Sequence, residues 1–223
     1  MVLASALVVL LAVAGVASSR WVLRRYDALG RRRPFPTITV AVALGLAVAC
    51  AVPLWLHDRL EHRLSAVAGG LVGAPVTVHC QTPSETFVHA GGELGYVRWD
   101  ATGVPEHSTV LAYDACRDLR RWLGSDKRRA SLDEVVAVHV LTHESMHMAG
   151  LLDESRAECA AVQRDARTAM ALGATRDEAV ALARQYWTQA YPRMPDGYRS
   201  GCGAGGEHDE HLPLAPWDVG GGP

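Results

Sequence analysis

Residues 143–158 read HESMHMAGLLDESRAE. His143 and His147 are four apart, so on a helix both imidazoles leave the same face and can reach one metal ion. Glu144, next to the first histidine, can then act on a metal-activated water, which is the chemistry of metal-assisted peptide hydrolysis. Two histidines and a glutamate on a helix can equally form a solvated polar face. The neighbours Val138, Leu141, Met146, Met148 and Leu151 are apolar. They bury this face and favour a site over a wet surface.

Signals on either side define the helix. Ser131-Leu132-Asp133-Glu134 is a capping box, in which the serine oxygen and the glutamate carboxylate satisfy exposed backbone N–H groups. The helix it opens runs through the motif to Ala149, and Gly150 is a natural stop. Asp153 is a good N-cap for a second helix reaching about Leu172. Thr175-Arg176-Asp177-Glu178 is another capping box and opens a third helix to about Tyr191, ended by Pro192 and Pro195. A tight turn at Gly150 folds the second helix back along the first. Glu154 and Glu158, four apart, then share a face that can point at the histidine pair. Imidazole and carboxylate ligands with an open fourth position suit Zn2+.

This stretch resembles the gluzincin metallopeptidases, in which a His-Glu-x-x-His helix is followed by one bearing Glu-x-x-x-Asp. Glu154-Ser155-Arg156-Ala157-Glu158 matches, with glutamate in place of the last aspartate. The resemblance covers residues 131–161. It implies that His143, His147 and Glu154 bind zinc, that Glu144 is the general base, and that Glu158 orients the ring of His143. The spacing from His147 to Glu154 is shorter than in most of that group, which leaves Glu158 as an alternative ligand. A rival pattern, His-Glu-x-x-His-x-x-Gly-x-x-Asp of metzincin-like enzymes, runs from His143 to Asp153 and would make Asp153 the ligand. Asp153 also has an ordinary role as a cap, so the expected order is Glu154, Glu158, Asp153.

Elsewhere in this part of the chain, residues 76–80 and 96–99 read as short strands, with a turn at Gly91-Gly92 between them. Residues 109–123 have helical spacing, with Leu111, Ala115, Leu119 and Trp122 on one face. The expected fold is α+β, mainly α: two N-terminal transmembrane helices, then a small zincin-like helical domain with a short antiparallel sheet. His139, one turn before His143, reads as a hydrogen-bonded core residue, and His208-Asp209-Glu210-His211 as a solvated loop. Tyr191, Tyr198, His107 or an arginine are candidates for stabilising an oxyanion.

The N-terminal quarter has a different character. Residues 2–17 and 36–56 carry no charge, and six arginines lie between them. The second run is long enough to cross a ~30 Å hydrocarbon core, and the first reaches that length if Ser18, Ser19 and Trp21 extend it. The expected organisation is a transmembrane helix at 1–19, an Arg-rich cytoplasmic loop at 20–35 and a second transmembrane helix at 36–56. A peptidase-like domain at 57–200 and a flexible tail at 201–223 follow. Arginines behind the first apolar run rather than before it argue against a cleaved signal peptide. By the positive-inside tendency the domain lies on the extracytoplasmic side of the cell membrane.

A short amphipathic helix, with Leu60, Leu64 and Val67 on one side, is expected to leave the membrane and break at Gly69-Gly70 and Gly73. Five cysteines are present: Cys50 falls in the second apolar run, and the other four are an even set, as expected for two disulfides. Of three connectivities, Cys80–Cys116 with Cys159–Cys202 is favoured, because each pair is sequential and they flank the motif.

Beyond residue 56 the chain has 16 basic and 23 acidic residues, which excludes a nucleic-acid footprint. The functional expectation is a membrane-anchored zinc metallopeptidase acting on a peptide or protein substrate. The alternative is a non-hydrolytic zinc-binding ectodomain of a sensor or docking protein. The motif lies about 87 residues beyond the last span, which disfavours intramembrane proteolysis.

Overall fold

The computed structural model describes residues 2–86 and 94–218; the turn expected at Gly91-Gly92 lies outside them. The chain divides into two compact units, Met1–Arg59 and Leu60–Pro223.

The first unit holds α1 (Val2–Leu23) and the beginning of α2 (Thr37–Val72). Both helices are long and apolar enough to cross a membrane. Val8, Leu11, Val42 and Val48 project outward, while the buried residues Ala14, Ala43 and Ala47 are small, as suits close helix contact without a water-driven core. The Arg-rich connection is a tight turn closed by a bridge between Tyr26 and Arg32. Asp27 Oδ1 accepts from the backbone N–H groups of Leu29 and Arg31.

α2 does not end where the second apolar run does. The expected amphipathic helix is its direct continuation, and Leu60, Leu64 and Ala68 are buried in the second unit. Gly69 and Gly70 lie inside the helix, and the stop is Gly73, at φ 80°. Gly69 has a packing reason to lack a side chain: a Cβ there would sit 3.1 Å from the Ala74 carbonyl oxygen.

The second unit holds a three-stranded sheet of β1 (Thr77–Cys80), β2 (Gly95–Trp99) and β3 (Pro105–Leu111), in the order β1-β3-β2, with one short helix, α3 (Pro83–Thr86), after β1. Both expected strands are present, and a third lies between them. The sheet is therefore mixed, not antiparallel throughout: β2 pairs antiparallel with β3, while β1 pairs parallel with it. The missed strand took residues 109–111 from the expected helix, and α4 starts only at Tyr113 (Tyr113–Gly124). Leu111 fits both periodicities, and backbone pairing with two neighbouring strands decides for the sheet. Thr109 and Leu111 face inward on alternate positions, at 1% and 0% exposure.

α5 (Leu132–Met148) is the central helix, buried along most of its length. Its capping box is formed as read: Glu134 N–H donates to Ser131 Oγ, and Ser131 N–H donates to Glu134 Oε2. Gly150 follows at φ 98°, where a side chain would be strained. The expected second helix is broken in two, α6 (Glu154–Val162) and α7 (Asp165–Ala171). Gln163 explains the break. Its amide donates to the carbonyls of Cys159 and His208, and its oxygen accepts from Glu210 N–H, so the chain is tied at this point.

α8 (Arg176–Gln185) begins at its capping box. It then widens into a π-helical turn (Tyr186–Ala190) and tightens into a 3-10 turn (Tyr191–Arg193) before α9 (Asp196–Arg199). Residues 201–218 have no regular structure, yet they are held in place: Arg164 pairs with Glu210 at 2.6 Å, and Ala215 is fully buried. Both disulfides have the favoured pairing, Cys80–Cys116 and Cys159–Cys202, and Cys50 is free.

Candidate metal centre

α5 carries His143, Glu144 and His147 into a cleft of ≈ 520 Å³, bordered by β2 on one side and by α6 and Tyr198 on the other. The reversal at Gly150 lets α6 run back along α5. Asp153 caps it, accepting from Arg156 N–H and Ser155 Oγ. Asp153 lies outside the groups of donor atoms that could hold an ion.

Glu154 completes the cluster. His143 Nε2 and His147 Nε2 are 3.0 Å apart, and Glu154 Oε2 lies 3.2 Å from the first and 3.3 Å from the second. Three donor atoms that each sit 2.0–2.1 Å from a tetrahedral ion are about 3.3 Å from one another. The three atoms therefore have the spacing of three corners of such a site. His147 Nδ1 is 2.7 Å from the Leu151 carbonyl, which can only accept, so Nδ1 bears the hydrogen and Nε2 presents a lone pair. Trp99 on β2 meets the His147 ring edge-on at 6.1 Å.

Glu158 stands one layer behind, not in the triangle. Its Oε2 is 3.0 Å from His143 Nδ1. The two are close enough for charge pairing, although the line between them is off-axis for a straight hydrogen bond. Glu158 is fully buried and also meets His139 and Tyr186. Burial works to raise its pKa, and the charge and hydrogen bond of His139 with the nearby His143 outweigh it, holding the carboxyl well below its usual range. In the metal-free protein burial lowers His143, but the hydrogen bond to Glu154 and the nearby Glu158 carboxylate push its pKa up to about 9. An entering metal ion has to displace that proton. The hydrogen bond from His143, with the charge of His147, lowers Glu154.

Among the oxyanion candidates, Tyr198 lines the cleft, its ring 6.0 Å from that of His143. Tyr191 does not serve, because its hydroxyl donates to the Arg199 carbonyl and its ring stacks on Trp187. His107 lies exposed on β3. The His208 carbonyl and Glu210 fasten the C-terminal segment to Gln163 and Arg164 between α6 and α7.

Three contributors were not legible in the sequence. Gly95 lets β2 pass close over Glu144: a Cβ there would lie 2.9 Å from Glu144 Cγ and 2.9 Å from Glu144 Oε1. Asp165 and Tyr186 reach the layer behind the histidines from α7 and the π-helical turn. Only the pairing of distant segments brings these residues together. The chain matches no family model, no curated protein and no solved structure.

Proposed function

We propose that the protein is a membrane-anchored zinc metallopeptidase with its cleft on the extracytoplasmic side. The observation that carries this reading is the triangle of His143 Nε2, His147 Nε2 and Glu154 Oε2, with Glu144 on the same helix and in the same cleft. Zinc bound there supplies a Lewis acid that polarises the scissile carbonyl and makes water acidic. Glu144 takes the proton from the attacking water and passes it to the leaving amine. Tyr198, which lines the cleft with its ring 6.0 Å from that of His143, would donate to a developing oxyanion. Glu158 holds the His143 ring so that Nε2 points into the triangle.

The cleft also bears on the kind of bond that is cut. Among the described residues no lysine or arginine lines it, and residues 87–93 and 219–223 contain neither. No fixed cation is thus available to grip a terminal carboxylate, which favours internal peptide bonds. Leu94, Val136, Val140, Leu152 and Met194 give the walls an apolar character. The placement outside the cytoplasm rests on the Arg-rich connection between the two apolar helices and on two disulfides, which persist in an oxidising compartment.

The test is cleavage of a mixed peptide library by the full-length protein in detergent, with and without a chelator. Cutting at internal bonds that stops on chelation and returns with zinc is expected. A zinc-loaded protein that cuts nothing would leave the non-hydrolytic reading in its place.

A further inference from the structure

Behind the triangle is a polar group for which the proposed hydrolysis has no direct use. His139 is 3% exposed, and Glu158 and Asp165 are 0% exposed. Two buried carboxylates at such a depth need a counter-charge. His139 Nδ1 lies 2.9 Å from Asp165 Oδ2, and His139 Nε2 lies 3.0 Å from Glu158 Oε2. With both carboxylates ionised, each only accepts, both ring nitrogens bear hydrogen and the ring is an imidazolium. Burial works against that state, but the charges of Asp165 and Glu158 outweigh it and push the His139 pKa up to about 10. Burial raises Asp165 as well.

Tyr186 locks the arrangement. Its ring stacks on His139 at 3.6 Å and 12°, and its hydroxyl donates to Glu158 Oε1 at 2.7 Å. Each Glu158 oxygen thus has a fixed partner, and Oε2 is left between His139 Nε2 and His143 Nδ1, 3.0 Å from each. Two irregularities of the fold place these groups. The break between α6 and α7 brings Asp165 into the core, and the π-helical turn starts at Tyr186. Such turns often mark functional positions.

We propose that His139, anchored by Asp165, is a positioning residue for the metal centre: it fixes Glu158 so that Oε2 faces His143 Nδ1 and the Nε2 of that ring points at the ion. The proposal rests on the metal-site reading above. His139 touches neither substrate nor ion and acts through Glu158. His139, His143 and Glu158 also lie close enough together to hold an ion themselves, but an ion there would have to replace the proton between His139 and Glu158.

Two measurements on the full-length protein in detergent decide. In long-range nitrogen–proton spectra of ring-labelled histidine, with His139 assigned from His139→Gln, both His139 nitrogens are expected to be protonated with and without zinc. An unprotonated or metal-bound His139 nitrogen would overturn the proposal. Zinc dissociation constants by chelator competition are then compared for wild type, His139→Gln, Glu158→Gln and the double variant. Each single change is expected to weaken binding by roughly 10–100-fold, and the double variant to bind within about twofold of Glu158→Gln alone.

Losses that multiply would mean that His139 does not act through Glu158, whereas a purely structural role for it predicts such multiplication. If His139→Gln does not fold, the wild-type ring spectra, assigned through Asp165→Asn, carry the decision. A wild-type protein that binds no zinc would overturn the metal-site reading itself, while the ring spectra would still judge the imidazolium bridge.

Discussion

Gly95 and Glu144 share a space that holds only one side chain. A methyl group at Gly95 would come within 2.9 Å of the Glu144 carboxylate and 3.0 Å of Leu111 Cδ2, and Leu111 is fully buried and cannot retreat. Gly95→Ala therefore displaces the proposed general base. It is expected to lower kcat by roughly tenfold to a hundredfold, with KM little changed and zinc content intact. A normal kcat in that variant would mean that Glu144 is not held by this contact. At the ligands, Glu154→Ala is expected to abolish stoichiometric zinc in metal analysis, and Glu158→Ala to weaken it by roughly 10–100-fold. The reverse order would exchange their roles. His143, Glu144, His147, Glu154 and Glu158 were all legible in the sequence, because their spacing along two helices is local. Gly95 was not, because its meaning depends on a strand crossing a helix nearly fifty positions away.

Helix ends were the most legible elements. The capping boxes at Ser131 and Thr175 and the cap at Asp153 are all formed, since each depends on residues within one turn. Ser131→Ala is expected to cost about 1 kcal/mol in chemical denaturation. A change within error would show that the cap is dispensable. Interiors were less legible. Residues 109–111 went to the sheet because pairing with β1 and β2 outweighs helical spacing, and residues 153–172 split because Gln163 is tied to a segment more than forty residues away. That same segment is stapled to α6 by Cys159–Cys202. Cys202→Ser is expected to lower stability by about 2–4 kcal/mol and to reduce activity by loosening α9, which carries Tyr198 against α6.

Over the molecule as a whole, composition already separated an apolar, arginine-punctuated N-terminal part from an acidic, cysteine-bearing remainder, and the division at Arg59 and Leu60 lies close to that change. The exact end of the span was not legible, because α2 passes from one character to the other without a break. The buried ion pairs of the second unit give it a distinct pH response when metal-free. His139 has a folded pKa of about 10 against an ordinary 6.5, so its stabilisation is full below about pH 6.5 and is lost as pH rises through about 10. Glu158, lowered in the folded state from 4.5, stabilises above about pH 4.5 and loses this as pH falls further. Stability by denaturation should therefore peak between about pH 5 and 6.5. A metal-free protein still at full stability at pH 10 would rule out the imidazolium. The most direct test of the central claim is the rate of peptide cleavage by Glu144→Gln protein carrying the same zinc content as wild type. A fall of at least about a hundredfold is expected, with zinc binding retained. Cleavage at the wild-type rate would contradict the assignment of Glu144 as the base and, with it, the proposed chemistry of the cleft.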